Sequence, residues 1–377
     1  MADHQFQIDR LRDEIKNLQK NLKWYKSTYE DRKLLGILKD RFLGYSFFRD
    51  SEKKLDLKSK IKKVVLDDPL CVKRSSKDDR ISIIMLSYNR IEDTRKAIKN
   101  IYKYTSVPFE LIILDNNSSS PVREELKKIS RKYHNLRVIL ETSNLGCAGG
   151  RAKAARYAQY QYLLFLDNDI LVFPYYAENL LATINKDESI AGACCKVVFP
   201  NGKIQFNGGA LAIDDGYALF SLVDEGLDFD DEKTNRFSIC GWIPGGATAW
   251  RRDIYEKYSV DPLMRGSFED NEMSLRITNA GFRLLNSPLS IVIHDHYDFK
   301  DTTFKKNEAE YYAGRNNESH LKSALIHFYN KHDLVFSFAW KNNPWDLLWG
   351  LNSKREIERF IQKNIHENEH ISGLQHA

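Results

Sequence analysis

Nowhere does the chain reach the roughly eighteen consecutive apolar residues that a membrane-crossing helix needs, and its polar N-terminus lacks the apolar core of a secretory signal. These absences predict a protein that stays in the cytoplasm, with membrane contact at most peripheral, at the inner face. Cysteine is scarce: Cys71, Cys147, Cys194, Cys195 and Cys240 form an odd set without a Cys-x-x-Cys pair. That set fits neither a disulfide scaffold nor a zinc ribbon, so free and mostly buried thiols are expected. Charge of one sign is lacking as well. The formal net charge of +5 is the small difference between 57 basic and 52 acidic residues spread along the chain, which does not indicate a nucleic-acid partner. What is present is material for a core: 42% of the 377 residues are hydrophobic, enough for one large domain with smaller appendages.

From Ile8 the apolar residues Ile8, Leu11, Ile15, Leu18, Leu22, Tyr25 and Tyr29 step by threes and fours, a short heptad seam. It reads either as an amphipathic helix packed on its own chain or as a coiled coil that makes a homo-oligomer through the N-terminal helices. Residues Leu34 to Val72 continue as a Lys-rich, helix-prone stretch, and Lys73 to Arg80 reads as a linker, so residues 1–78 are expected to be an N-terminal helical region. At Ile81 short apolar runs begin to alternate with amphipathic helices. Ile81 to Leu86, Leu111 to Leu114, Leu136 to Leu140 and Tyr162 to Leu166 read as buried parallel strands, with helical spacing over Ile91 to Tyr104, Val122 to Tyr133 and Arg151 to Gln159. After Asp169 a mixed sheet is expected, with a hairpin turn at Asn201-Gly202, an acidic loop from Asp214 to Asp231 and a Gly-rich turn at Gly245-Gly246. This main domain spans 79–300. Residues 301–377 read as a helical extension whose Trp340, Trp345, Trp349, Phe360 and Ile361 pack onto the domain or meet an acceptor or a membrane surface.

In a parallel α/β sheet, ligands bind beyond the carboxyl ends of the strands, so the polar residues that follow strands are the ones to inspect. The first strand ends in Ser87-Tyr88-Asn89-Arg90, the second in Asp115-Asn116-Asn117-Ser118, and the fourth in Asp167-Asn168-Asp169. After the third, Asn144 to Gly150 leads into a helix beginning near Arg151, letting backbone amides approach a phosphate. That loop matches neither the G-x-G-x-x-G fingerprint nor the P-loop, which counts against a dehydrogenase or an NTPase. Asp167 and Asp169 either make turn and cap hydrogen bonds or share a divalent cation. Glu269 and Asp270 open a helical stretch that ends at Gly281, where carboxylates also suit a bland capping role. The strand Ser290 to Ile293 runs into His294-Asp295-His296, whose imidazoles share a face if the strand continues.

Together these segments resemble the family 2 glycosyltransferases over about Arg80 to Tyr297. The resemblance rests on ISIIMLSYNR (81–90), ELIILDNNSS (110–119), NLGCAGGRAKAARYA (144–158), YLLFLDNDILV (162–172), IPGGATAWRR (243–252), SFEDNEMSLRITNAGFR (267–283) and IVIHDH (291–296). Ala152 stands where many members have Asn, and Asn168 fills the middle of the acidic triplet. The resemblance implies a GT-A fold, a Rossmann-like mixed sheet flanked by helices. It also implies roles. Tyr88 and Asp115 would hold the nucleoside, Arg151 would lie near the diphosphate, and Asp167 would contact ribose or donor sugar, with Ser87, Arg90, Asn144, Gly150 and Asn168 completing the donor side. Asp169 would coordinate Mn²⁺ or Mg²⁺ with His294, or failing that His296. Asp270 would be the general base, with Glu269 as support or alternative, and Trp242, Gly245 and Gly246 would shape the acceptor side.

A base and a metal on opposite faces of the donor predict direct displacement with inversion. The donor is expected to be a nucleotide sugar, most commonly a UDP-sugar, and the acceptor a cell-surface or lipid-linked glycan. A peptide Ser or Cys is the alternative acceptor. A non-catalytic glycan-binding scaffold is the alternative of another class, against which Asp169, Asp270 and His294 argue.

Overall fold

The computed structural model describes residues 45–74, 79–214, 216–264, 268–295 and 318–338. Contacts divide the chain into residues 1–58 and 59–377. Of the first unit, residues 45–58 are described and are helical; the heptad residues Ile8 to Tyr29, His296 and the tryptophans from Trp340 onward lie outside the described residues.

In chain order the elements begin with α1 (Tyr45–Asp67), β1 (Ile81–Ser87), α2 (Ile91–Tyr104), β2 (Phe109–Asp115), α3 (Ser120–Ser130), β3 (Leu136–Leu140), α4 (Gly146–Ala155), β4 (Tyr162–Phe165) and β5 (Ile170–Val172). They continue with α5 (Tyr176–Ile184), β6 (Ile190–Val198), β7 (Ile204–Phe206), β8 (Gly209–Asp214), β9 (Tyr217–Leu222), β10 (Ile239–Cys240), β11 (Thr248–Arg251) and α6 (Arg252–Lys257). The last are α7 (Glu269–Asn279), β12 (Arg283–His294), α8 (Glu318–His332) and β13 (Val335–Phe338). The strands form one large sheet in the order β10-β12-β6-β11-β4-β1-β2-β3 and a small one in the order β13-β9-β8. This is the mixed α/β sheet expected from the sequence.

The near-continuous apolar runs of β1 and β2 are covered on both faces, and their partners are parallel. Register aligns Ser87 with Asp115 and Ile84 with Phe165, so the polar residues that follow β1, β2 and β4 emerge at one edge of the sheet. The reversal occurs at β11, which runs antiparallel between β4 and β6 and pairs Thr248 with both Phe165 and Cys194. That insertion brings Gly245-Gly246, just before β11, against the residues that leave β4. On the far side, β5 pairs antiparallel with the end of β12, setting Ile170 opposite His294.

Two stretches differ from expectation. The acidic stretch from Asp214 to Asp231 contains β9, in which Ala218 and Phe220 are buried between less buried neighbours; this alternation is a strand signal that the surrounding aspartates obscure. The C-terminal stretch adds a strand to its helix. β13 pairs in parallel with β9, a long-range pairing that no local pattern announces. The free thiols are as expected, with Cys147 half-buried and the other four buried. Among the described residues no helix is long and apolar enough to cross a membrane.

Candidate functional site

The loops after β1 and β2 are stitched together by their own side chains. The Asn89 amide N–H donates to Ser118 Oγ at 2.9 Å and Asn89 Oδ1 accepts from Ser119 N–H at 2.8 Å, with Asn89 in the left-handed region at φ 52°. Asp115 is fully buried at the end of β2. Its Oδ2 accepts from Ser118 N–H at 3.2 Å and lies 3.4 Å from Arg123 Nε, while its Oδ1 has no hydrogen-bond partner among the described residues. Next to it, Asn116 secures the loop ahead of α4: Oδ1 accepts from Leu145 N–H, and Nδ2 donates to Asn144 Oδ1 at 2.9 Å and to Gly146 O at 3.1 Å. The sequence marks Asn116 only as part of the strand-end Asp-Asn-Asn-Ser run and gives it no role.

Several predicted donor-side residues serve the scaffold. Ser87 is buried, its hydroxyl 3.2 Å from Thr94 Oγ1, and Asn168 Nδ2 donates to the same Thr94 oxygen at 3.0 Å. Asn144 is exposed and caps Gly146 N–H, and Gly150 packs so closely on Leu86 that a Cβ there would meet Leu86 Cδ2 at 3.0 Å. Tyr88 is half-buried. Arg90 joins Asp93 at 2.8 Å and Asp169 Oδ2 at 3.2 Å.

Arg151, expected near the diphosphate, is held at the edge of the sheet by two carboxylates. Its guanidinium is buried between two carboxylates, 2.8 Å from Asp167 Oδ1 and 3.6 Å from Glu269 Oε1. Burial opposes its charge, but Asp167, Cys147 and Glu269 together outweigh it and raise the pKa. Gly245 and Gly246 are the floor beneath this pair: a Cβ on Gly245 would come 2.3 Å from Arg151 Nη1, and one on Gly246 2.3 Å from Asp167 Oδ2. The same turn holds Asp270, whose Oδ2 accepts from Gly245 N–H at 3.1 Å while Oδ1 accepts from Asn271 N–H at 3.0 Å. Arg151 and the glycine turn thus bring Asp167, Glu269 and Asp270 into one place. Trp242, expected to help shape the acceptor side, stands in the core. It is buried edge-on to Phe206 at 5.1 Å, and its Nε1 donates to Ser221 O at 3.0 Å, because a large indole with a satisfied N–H gains more from the β8–β9 hairpin than from solvent.

The β5–β12 pairing sets His294 Nε2 3.3 Å from Asp169 Oδ1, both largely buried. Burial disfavours the imidazolium, but the hydrogen bond and charge of Asp169 outweigh it and raise the His294 pKa. Behind the ring, His294 Nδ1 lies 2.8 Å from Gln205 Oε1 on β7, a partner no sequence signal pointed to. Among the described residues no group of three or more His, Cys, Asp or Glu side chains is arranged around a metal position. Asp169 and His294 nonetheless fit a cation whose other ligands come from a substrate. Such ions are commonly held by one or two protein groups plus phosphate oxygens, and two ligands each about 2.1 Å from the ion at a right angle stand about 3 Å apart.

Residues 82–258 match the model of Glycosyl transferase family 2. This stretch of the chain belongs to that family. The glycosyl transferase family 2 region is similar to Glycosyltransferase AglE of Haloferax volcanii, 25% identical over 207 residues that cover 54% of this chain and 63% of that protein. It is also similar to an uncharacterized glycosyltransferase of Haemophilus influenzae, 32% identical over 52% of this chain and 61% of that protein. A third relative is the UDP-Glc:alpha-D-GlcNAc-diphosphoundecaprenol beta-1,3-glucosyltransferase WfgD of Escherichia coli, 32% identical over 24% of this chain and 36% of that one. The chain spans about three fifths of the length of the first two relatives. Among solved structures, GalNAc-T7 with UDP, GalNAc and Mn²⁺ aligns at a TM-score of 0.49 and 19% identity, over 78% of this chain and 66% of that one.

Proposed function

We propose that this protein is an inverting glycosyltransferase that moves a sugar from a nucleotide-diphosphate sugar to an acceptor hydroxyl. The observation that carries the reading is the Arg151 bridge, which ties Asp167 at the sheet edge to Glu269 beside Asp270. Transfer needs this combination, a polar donor side facing a carboxylate that can take a proton. Asp115 Oδ1, a buried acceptor with no hydrogen-bond partner among the described residues, suits a base that offers an imide N–H, and uracil does. A UDP-sugar is therefore the donor of choice, with Tyr88 beside the nucleoside and Asp167 at the ribose or sugar. Asp169 and His294 would hold Mn²⁺ or Mg²⁺, which supplies neutralisation of the charge that grows on the leaving diphosphate. Asp270 takes the proton of the attacking hydroxyl on a carboxylate oxygen. The N–H groups of Gly245 and Asn271 fix that carboxylate, and Arg151 holds Glu269 at its side. A single displacement of this kind inverts the anomeric centre. For the acceptor we take a cell-surface or lipid-linked glycan; a lipid-linked GlcNAc stands in the name of the Escherichia coli relative.

Calorimetric titration of the protein with UDP-, GDP-, CDP- and dTDP-sugars, with and without Mn²⁺, tests the reading. Metal-dependent binding of one donor is expected. A folded protein that binds none of them is a scaffold instead.

A further inference from the structure

The first turn of α7, which carries Glu269 and Asp270, is gripped on both sides by a segment that lies beyond the family 2 match. Phe268, immediately ahead of the carboxylates, holds the left-handed conformation at φ 71°, a strained choice for a bulky residue that surroundings must enforce. Its ring lies 4.3 Å from that of Phe336 on β13, and Phe336 in turn packs on Phe220 at 4.9 Å and Phe328 of α8 at 5.3 Å. Two residues past Asp270, the fully buried Glu272 accepts from Arg276 through both oxygens at 2.7 and 2.8 Å. Its Oε1 also meets two groups of α8, His332 Nε2 at 2.9 Å and Lys331 Nζ at 3.0 Å. Lys331 reaches further, to Asp261 Oδ2 at 2.7 Å, and so joins the chain ahead of α7 to α7 itself. An apolar clamp on one side of the carboxylate pair and an ionic one on the other leave its backbone little freedom.

We propose that the segment 318–338 is a positioning element for Glu269 and Asp270, with Lys331, His332 and Phe336 as its positioning residues. The proposal rests on the reading of Asp270 as general base. None of the three touches the reacting atoms; they hold the turn from which the base projects, and a small displacement of a base is costly because proton transfer needs near-contact geometry.

The test uses the full chain with His332→Ala, His332→Gln and Phe336→Leu. Arg276 and Lys331 still neutralise Glu272 when His332 is truncated, so the variant keeps its fold, checked by thermal melting. For His332→Ala we expect faster amide hydrogen exchange over residues 269–273, turnover of the donor sugar lower by about ten- to a hundredfold, and an unchanged donor KM. Gln, which can still donate to Glu272, restores both exchange and turnover, and Phe336→Leu repeats the loss from the apolar side. Unchanged exchange and turnover in His332→Ala overturns the proposal, as does a donor KM that moves as much as kcat. The reading beneath it is tested separately by Asp270→Asn: if that variant still turns over, the base is elsewhere, while the exchange data still decide whether the segment holds the turn.

Discussion

Gln205 Oε1 lies 2.8 Å from His294 Nδ1, on the side of the ring opposite Asp169. When Nδ1 carries the proton and donates it to the amide oxygen, Nε2 presents its lone pair toward Asp169, the tautomer a cation requires. Replacing Gln205 with Leu is expected to weaken Mn²⁺ binding in the presence of nucleotide by about ten- to a hundredfold. Titration of Mn²⁺ by electron paramagnetic resonance reads this directly, and unaltered affinity would show that the ring needs no such partner.

Asp270→Asn keeps the shape but removes the proton acceptor, and its single amide oxygen can accept only one of the two backbone N–H groups that the carboxylate holds. Transfer is expected to fall by about 10² to 10⁴-fold, with donor affinity held within about a factor of two. Initial-rate kinetics alongside calorimetry separate the two quantities.

For Asp115→Asn the expected loss lies in binding. The variant swaps a charged acceptor for an amide, costing nucleotide affinity by about ten- to a hundredfold if a base N–H is its ligand. Competition with free UDP measures it, and equal affinity in both proteins would assign the base to another residue.

Gly246→Ala forces a methyl group toward Asp167 Oδ2, the far end of a side chain that can swing away. The fold should therefore lose only about 1 kcal/mol, whereas the Arg151–Asp167 pair is displaced and donor binding suffers much more. Thermal melting together with donor calorimetry checks both halves of that statement.

Glu272 supplies a pH signature. Burial pushes its carboxyl pKa upward, but His332, Arg276 and Lys331 prevail and hold it at about 2, below its ordinary 4.5. A depressed folded-state pKa contributes stability that is complete above the unfolded value and fades as pH falls through the folded one. Glu272→Gln is accordingly expected to cost about 3 kcal/mol near neutral pH, with the gap between parent and variant closing from pH 4.5 down to about 2. Denaturant unfolding across that window provides the measurement.

The sheet and most of the site's segments were legible because buried parallel strands write themselves as unbroken apolar runs, and polar residues at their ends stand out. Asp115, Asp169 and His294 stand at strand ends, whereas Asp270 is read from the carboxylates that open a helix. What escaped depends on who meets whom across the fold. The ion pairs of Arg151 with Asp167 and Glu269, above the glycine turn ahead of β11, join segments that no local pattern links. Trp242 and Gln205 carry no periodic signal, so neither the burial of the one nor the His294 contact of the other is legible in the sequence. β9 was hidden among aspartates, and β13 exists only because β9 offers an edge to pair with.

The pairing of β5 with the end of β12 has an evolutionary corollary. Asp169 and His294 are spaced by a ladder in which Asp295 N–H also donates to Asp169 O at 2.9 Å, not by the chain that separates them. Hairpins and loops between those strands can grow, shrink or be exchanged without changing the distance between the two groups. A slip of one residue in the ladder would turn His294 to the opposite face.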